Sequence, residues 1–197
     1  MKRVLRNFVC GLAIVVSTSA FSQSASDRVI DDFEKPGIWS WWKSPAYTVE
    51  QIEGALKVTI NKAGDKSVDN GYNTFGRDHA ADPLDFTKLN AIKVRYKLEG
   101  AEGTTLRLDL KDIDDNVTNA NSVSRKITPS KEWQDVFFVF TADKFKQSWP
   151  TAGNVDPQEI KELLFFVNAG NFAKPFTGSL IIDEVTLMSA DRVPASK

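Results

Sequence analysis

Alternation of apolar and polar residues at period two is the feature that most constrains what this chain can fold into. Between residues 91 and 98 four apolar side chains alternate with three basic ones, and residues 105–111 repeat the pattern. Such a period places one face of a segment on a core and the other in solvent, which predicts half-buried β-strands. Similar patterns predict six more strands, at 28–33, 47–51, 55–60, 134–140, 163–168 and 179–188.

One segment, residues 156–162, predicts a short helix. Asp156 is a suitable N-cap, Pro157 suits the first helical position, and acidic residues follow in the first turn. Elsewhere the segments between strands are rich in Gly, Asp, Asn and Pro, as turns require. Many short strands around one core predict an all-β fold, an antiparallel β-sandwich of the jelly-roll type with one short helix.

The beginning of the chain has the pattern of an export signal. Three basic residues precede an apolar run at 8–16, and small residues follow it. We therefore expect a signal peptide over residues 1–25, cleaved after Ala20 or Ala25, and a secreted or periplasmic mature protein. A run of nine is far shorter than the roughly 20 residues that span a bilayer, so we expect no membrane insertion.

The rest of the chain predicts one domain over residues 26–190 and a C-terminal tail over 191–197. Cys10, the only cysteine, lies in the predicted signal, which argues against a small disulfide-framed scaffold. Loss of the three basic signal residues changes the formal charge from −1 to −4, with no basic block elsewhere. Nucleic acid is therefore not an expected partner. We expect a monomer.

A family resemblance rests on the order of six sequence segments: residues 29–34 with Trp39, 54–58, 83–98, 133–145, 156–167 and 178–185. In this order the chain resembles the galactose-binding-like jelly rolls. The families it resembles most are the family 11 carbohydrate-binding modules and the complex I intermediate-associated protein 30 domain. The resemblance implies a jelly roll that binds a ligand and is not catalytic. Because one fold hosts many functions, it leaves the ligand open.

Acidic residues stand at both ends of the predicted domain: Asp31, Asp32 and Glu34 at its start, and Asp183 and Glu184 in its last strand. The resemblance implies that these two strands run side by side with a structural calcium ion (Ca2+) between them. Glu34 and Asp183 would then be side-chain ligands, with Asp32 adding an oxygen. The alternative is that these residues are solvated acids at strand ends.

A second acidic motif, at residues 112–116, has the D-x-D-x-N spacing that opens an EF-hand loop. The position that requires glycine holds Val117, and the twelfth position, which requires glutamate, holds Val123. We interpret this motif as a polar hairpin loop.

Tryptophans are concentrated in one segment, where Trp39, Trp41 and Trp42 lie among Gly, Ser and Pro. Neighbouring residues of an extended segment point in opposite directions, so Trp41 and Trp42 cannot easily both be buried. We predict that at least one faces a ligand, the alternative being that two of the three fill the core. Trp133 opens a predicted strand and is expected in the core, whereas Trp149 fits either environment.

The outward side chains of the predicted strands form a polar row. If these strands are neighbours in one sheet, the row is the floor of a ligand-binding groove. The predicted floor residues are Arg95, Arg107, Asp109 and Asp135, with Tyr47, Tyr72 and Asn168 at the border. The alternative is a solvated face with cross-strand ion pairs.

The sequence does not predict an enzyme. His79 is the only histidine, which excludes a histidine-based zinc site, and there is no G-x-S-x-G motif. The leading hypothesis is a secreted, non-catalytic protein that recognises a polysaccharide or oligosaccharide through Trp41 or Trp42 and the polar groove. The alternative is an envelope or assembly protein that uses the same fold to bind a protein partner.

Overall fold

The structure is a computed structural model that describes residues 26–35, 39–41, 46–69, 74–100, 102, 104–146, 153–169 and 174–195. These residues form eleven strands and three short 3₁₀ helices. No helix in the described part of the chain has the length and apolar character needed to cross a bilayer. The predicted signal peptide lies outside the described residues.

The larger of two antiparallel sheets has six strands. In spatial order five of them are β3 (Tyr47–Ile52), β4 (Ala55–Ala63), β11 (Phe176–Met188), β6 (Ala91–Gly100) and β9 (Ser130–Val139). The sixth, β1 (Arg28–Asp31), pairs with the part of β11 that β4 does not reach. The two ends of the domain are therefore neighbours in this sheet.

The smaller sheet has five strands, in the order β2 (Trp39–Trp41), β5 (Phe75–Asp78), β10 (Ile160–Val167), β7 (Thr105–Asp112) and β8 (Val123–Lys126). Together the sheets form the predicted sandwich, and all eight predicted strands are confirmed. The sequence patterns missed β2, β5 and β8. Each has only three or four residues, too few to display an alternation.

The predicted helix at residues 156–162 is wrong. Asp156 does accept a hydrogen bond from the backbone N–H of Gln158 at 2.9 Å, as a cap would, but only a turn follows. Strand β10 begins at Ile160, whose backbone N–H donates to the carbonyl of Leu84 at 3.1 Å. Burial of the apolar run after residue 160 and pairing with a neighbouring segment outweigh the local helix-start signal.

Apolar side chains from both sheets fill the space between them. The alternation predicted for β6 and β7 is confirmed, because Val94, Leu98 and Leu108 are fully buried or nearly so. Aromatic rings pack at one end of this core, where Phe75 and Phe165 stack with their centroids 5.5 Å apart. Such offset aromatic pairs contribute beyond the area that they bury.

A buried carboxylate ties the two sheets together. Asp31 in β1 accepts hydrogen bonds from the indole N–H of Trp39 at 2.7 Å and from the backbone N–H of Phe33 at 2.9 Å, and it forms an ion pair with Arg77. The Arg77 guanidinium also donates to the carbonyl of Ile30 at 2.9 Å. β1 belongs to the larger sheet, whereas β2 and β5 belong to the smaller one, so this network joins both.

His79 follows β5 and lies beside the same network. Its side chain is partly buried, and its Nε2 atom has no hydrogen-bond partner among the described residues. Burial first, and then the positive charges of Arg77 and Arg28, lower the pKa of the His79 imidazole from 6.5 to about 4. The imidazole is therefore neutral at physiological pH.

Replacing Asp31 by Ala is expected to lower the free energy of unfolding by about 3 kcal/mol, because it leaves a partly buried guanidinium and an indole N–H without their acceptor. Urea denaturation measures this loss. The matched control is Asp32→Ala at the exposed neighbouring position, where a change within about 0.5 kcal/mol is expected. Equal losses in the two variants would contradict the role given to Asp31.

Acid is expected to destabilise the protein through His79. As the pH falls from about 6.5 to 4, the unfolded chain takes up a proton on this residue before the folded chain does, so the free energy of unfolding decreases. In His79→Gln this decrease is expected to be smaller by about 1 kcal/mol, a figure that allows for solvent screening of a partly exposed group. Urea denaturation at pH 7 and pH 4.5 tests this, and identical pH dependence in both proteins would contradict it.

Candidate functional site

Polar and aromatic side chains meet on the outward surface of the two central strands of the smaller sheet. We call this surface the five-stranded face and define it by the following cross-strand pairs of β7 and β10: Arg107 with Phe166, Asp109 with Leu164, and Lys111 with Glu162. The residues between them, such as Leu108 and Phe165, point into the core. Alternation along both strands therefore presents these six side chains together.

Arg107 lies at the end of this face opposite Lys111, and Asp109 holds it there. Its guanidinium donates through Nε to Oδ1 of Asp109 at 3.1 Å and through a terminal nitrogen to Oδ2, which makes the pair bidentate. The Asp109 carboxylate is fully buried, whereas 24% of the Arg107 side chain is exposed. The guanidinium carbon lies 4.7 Å from the ring centroid of Phe166. A planar cation is thus fixed over an aromatic floor.

The aromatic floor is largely covered, because Leu164 and Phe166 are buried although they point away from the core. At one end of the face Lys111 lies 3.5 Å from Glu162 and 2.9 Å from Asp115. Burial lowers the pKa of Lys111, but these two carboxylates outweigh it and the net shift is upward. The side chains of Lys161 and Lys111 lower the pKa of Asp115 to about 2. Lys111 and Asp115 are therefore both charged at neutral pH.

The loop that follows β7 is organised by one carboxylate. Asp112 accepts hydrogen bonds from the backbone N–H groups of Asp114, Asn116 and Asp156 at 2.9 to 3.0 Å, and from the Asn116 side chain at 3.0 Å. This carboxylate is buried. The EF-hand-like spacing at 112–116 therefore serves to close a turn and to attach it to the segment before β10.

The predicted polar row is divided between the two sheets. Arg95 in β6 and Asp135 in β9 are a cross-strand pair of neighbouring strands in the larger sheet. Arg107 and Asp109 lie on the five-stranded face of the smaller sheet. The prediction that all four come from neighbouring strands of one sheet is wrong. Alternation shows which residues of one strand share a face, but it does not show which sheet the strand joins.

Two of the predicted border residues lie inside the protein. Tyr47 is 4% exposed, and its hydroxyl donates to the carbonyl of Val167 at 2.9 Å and accepts from the backbone N–H of the same residue. Burial, together with the charge of Asp69, raises the pKa of Tyr47. Asn168 is 1% exposed, and its side chain donates to two backbone carbonyls. Both side chains hold segments of backbone together and do not reach the surface.

Most of the aromatic residues predicted to contact a ligand or to fit either environment lie outside the described residues; these are Trp42, Tyr72 and Trp149. The backbone of Trp41 belongs to β2 and pairs with Phe75, and its side chain also lies outside the description. Trp39 is buried in the core. The ligand-facing role of Trp41 or Trp42 stays a prediction.

The acids at the ends of the domain have basic partners in the larger sheet. Asp183 lies 3.4 Å from Arg95, and Glu184 lies 2.6 Å from Lys93, which lowers the pKa of Glu184. Glu34 is exposed and lines a depression together with Asp183, whereas the exposed Asp32 is not among the lining residues. No three acidic, histidine or cysteine side chains come together as a metal site within the described residues. Glu34 and Asp183 thus lie at one depression, and calcium binding there stays a prediction.

Trp133 is half-buried on the outward side of the larger sheet, so its predicted core position is wrong. The Lys97 ammonium lies 4.3 Å from the centroid of its ring, and the Arg95 guanidinium carbon lies 5.8 Å away. Trp133 is two residues from Asp135, which pairs with the outward Arg95, so alternation along β9 places both side chains on the same outward surface. A register shift follows, since Gln134 pairs with Tyr96 while Ser130 pairs with Leu98, and residues 131–133 therefore form a bulge at this end of the strand.

Comparisons with known proteins find similarity only at the level of the fold. No protein-family model and no curated protein sequence matches the chain. A solved agarase superimposes with a TM-score of 0.58 at 13% identity over 88% of this chain, but the chain spans only 25% of that enzyme.

Solved carbohydrate-binding modules match along nearly their whole length. The family 11 module of a cellulosomal cellulase from Clostridium thermocellum has a TM-score of 0.54 and 18% identity, with 84% of this chain and 95% of the module covered. A Clostridium thermocellum family 11 module in complex with a β-1,3-1,4-mixed-linked tetrasaccharide gives the same TM-score and identity, with 83% and 96% covered. The chain therefore has the jelly-roll fold that is found in the family 11 carbohydrate-binding modules.

Proposed function

We propose that this chain is an exported, non-catalytic protein that binds a polysaccharide across its five-stranded face. The observation that carries this proposal is the Arg107 guanidinium on that face, held over the Phe166 ring by the buried Asp109 carboxylate. A site fixed in this way loses little conformational entropy when a ligand binds.

The chemistry of the face suits a ligand with many hydroxyl groups. Arginine has five N–H donors, and Arg107 uses two of them on Asp109, which leaves donors for hydroxyl oxygens. The paired Lys111 and Glu162 supply a further donor and acceptor on the same face. From Arg107 to Lys111 the polar groups extend over roughly 13 Å along β7, at about 3.3 Å per residue. A linear chain of sugar rings fits such an arrangement.

Support also comes from the similar modules, one of which was solved with a tetrasaccharide bound. They match over nearly their full length, whereas the agarase match covers a quarter of that enzyme. A module without catalysis is therefore the better guide to this chain. Trp41 lies in β2, an edge strand of the same sheet, and Trp42 follows it in the sequence. The tryptophan segment therefore begins at the edge of the sheet that carries the five-stranded face.

Arg107→Lys is expected to weaken binding about tenfold, because lysine keeps the charge but loses the bidentate contact that orients the guanidinium. Affinity gel electrophoresis measures this, with mixed-linkage β-glucan, xyloglucan, xylan, mannan, laminarin and pectin as probes. The matched control is Arg28→Lys in β1, which alters an exposed ion pair between Arg28 and Asp82. This variant is expected to leave retardation unchanged. Absence of retardation by every glycan, with folded protein, would overturn the proposal and favour a protein partner, which a pull-down would then seek.

The tryptophan segment gives an independent expectation. Trp41→Ala or Trp42→Ala is expected to reduce retardation by the same glycan at least fivefold while the melting temperature stays within about 2 °C, because a ligand-facing indole contributes to binding and little to folding. Thermal denaturation by circular dichroism accompanies each binding assay. If both variants melt at much lower temperature and bind normally once folded, the two tryptophans fill the core instead.

A further inference from the structure

We infer that the chain has a second saccharide-binding surface on the opposite side of the sandwich, an inference that rests on the proposed function. The surface is a depression of about 470 Å³ on the outward side of the larger sheet. We call it the Trp133 depression. Its lining residues that matter here are Trp133, Lys97, Glu34, Asp183 and Ile52.

The aromatic part of the depression is held in a defined position. Trp133 lies in the bulge of β9, and the Lys97 ammonium, 4.3 Å from its ring centroid, fixes the indole against the sheet. The depression also contains Ile181 and Ile52, and Ile52 is 38% exposed. An outward indole beside an exposed isoleucine is unusual on the solvated face of a sheet and typical of a binding surface.

The polar part of the depression can both accept and donate hydrogen bonds. The carboxylates of Glu34 and Asp183 accept, and the Lys97 ammonium donates. The ion pair with Arg95, at 3.4 Å, orients the Asp183 carboxylate. An apolar wall with a few converging polar groups is the usual composition of a small-molecule site. A pyranose ring, with an apolar face and hydroxyl edges, matches both parts.

The local charge selects the class of glycan. Three carboxylates, those of Glu34, Glu53 and Asp183, line the depression, against the ammonium of Lys97 and the guanidinium of Arg95 that pairs with Asp183. A polysaccharide that carries carboxylates or sulfates would be repelled, because like charges at short range are unfavourable. The depression therefore suits a neutral polysaccharide, and pectin is expected to be excluded.

The two surfaces lie on opposite faces of one sandwich, since the five-stranded face and the Trp133 depression belong to different sheets. A ligand in one does not occupy the other. One molecule is then able to hold two glycan chains at once and to connect them, a bivalent arrangement whose avidity exceeds that of either site.

Isothermal titration calorimetry of the chain from residue 26 onward tests the inference, with the mixed-linkage β-glucan tetrasaccharide, xylotetraose and mannotetraose as probes. We expect two molecules of one probe bound per wild-type chain and one per Trp133→Ala chain. The matched control is Lys131→Ala. Lys131 is exposed in the same bulge and does not line the depression, so this variant is expected to bind two molecules per chain. With the corresponding polymer, the wild type is expected to raise turbidity by cross-linking and Trp133→Ala is not.

A second variant tests the same site independently, in case Trp133→Ala does not fold. Glu34→Gln changes an exposed carboxylate and is expected to weaken only the second binding event, about fivefold. One bound molecule in the wild type, with the same affinity in Trp133→Ala and Glu34→Gln, overturns the second site and leaves the proposed function standing. No binding of any probe by the wild type overturns both. Complete loss of binding in Trp133→Ala, with Arg107→Lys unaffected, supports the depression and overturns the five-stranded face.

Discussion

The buried Asp31 carboxylate is the interaction on which the arrangement of the two sheets depends. It belongs to β1 of the larger sheet and binds Trp39 and Arg77 of the smaller one. Because an ionised carboxylate is stable in a protein interior only with charged or hydrogen-bonding partners, these three residues specify one another. Their network positions β2, the edge strand from which the tryptophan-rich segment continues. An acidic residue that the sequence groups with metal ligands thus has a structural role.

The sequence predicts those strands that are long enough to display an alternation of apolar and polar residues. Strands of eight or more residues, such as β6 and β7, display the pattern clearly and were predicted. The strands that were missed are short, and Gly76 in β5 interrupts the apolar series. At Asp156 local capping preferences and tertiary pairing disagree, and the apolar run from Ile160 decides for a strand. Local signals describe what a segment prefers, whereas pairing partners are set by the rest of the chain.

The candidate site follows from the sequence only in part. The pattern in β7 correctly places Arg107 and Asp109 on one outward face. The pattern does not show that Arg95 belongs to the other sheet, because outward residues recur with the same period in the strands of both sheets. Phe166 is adjacent to inward Phe165 in a continuous apolar run, so its outward position needs the strand register. Trp133 is two residues from the outward Asp135, so the alternation of β9 directs it outward, and the predicted core position disregarded that period.

Ion pairs on both outward surfaces limit which ligands these surfaces suit. On the five-stranded face Arg107 is paired with Asp109, and on the larger sheet Lys93 is paired with Glu184. A polyanion such as nucleic acid needs unpaired cations to replace its counterions, and paired ones would first have to give up their carboxylates. A neutral hydroxyl group needs no such exchange, since it can accept from the remaining N–H groups of a cation whose ion pair stays intact. The same ion pairs that hold these side chains in place therefore favour an uncharged, hydroxyl-rich ligand on either face.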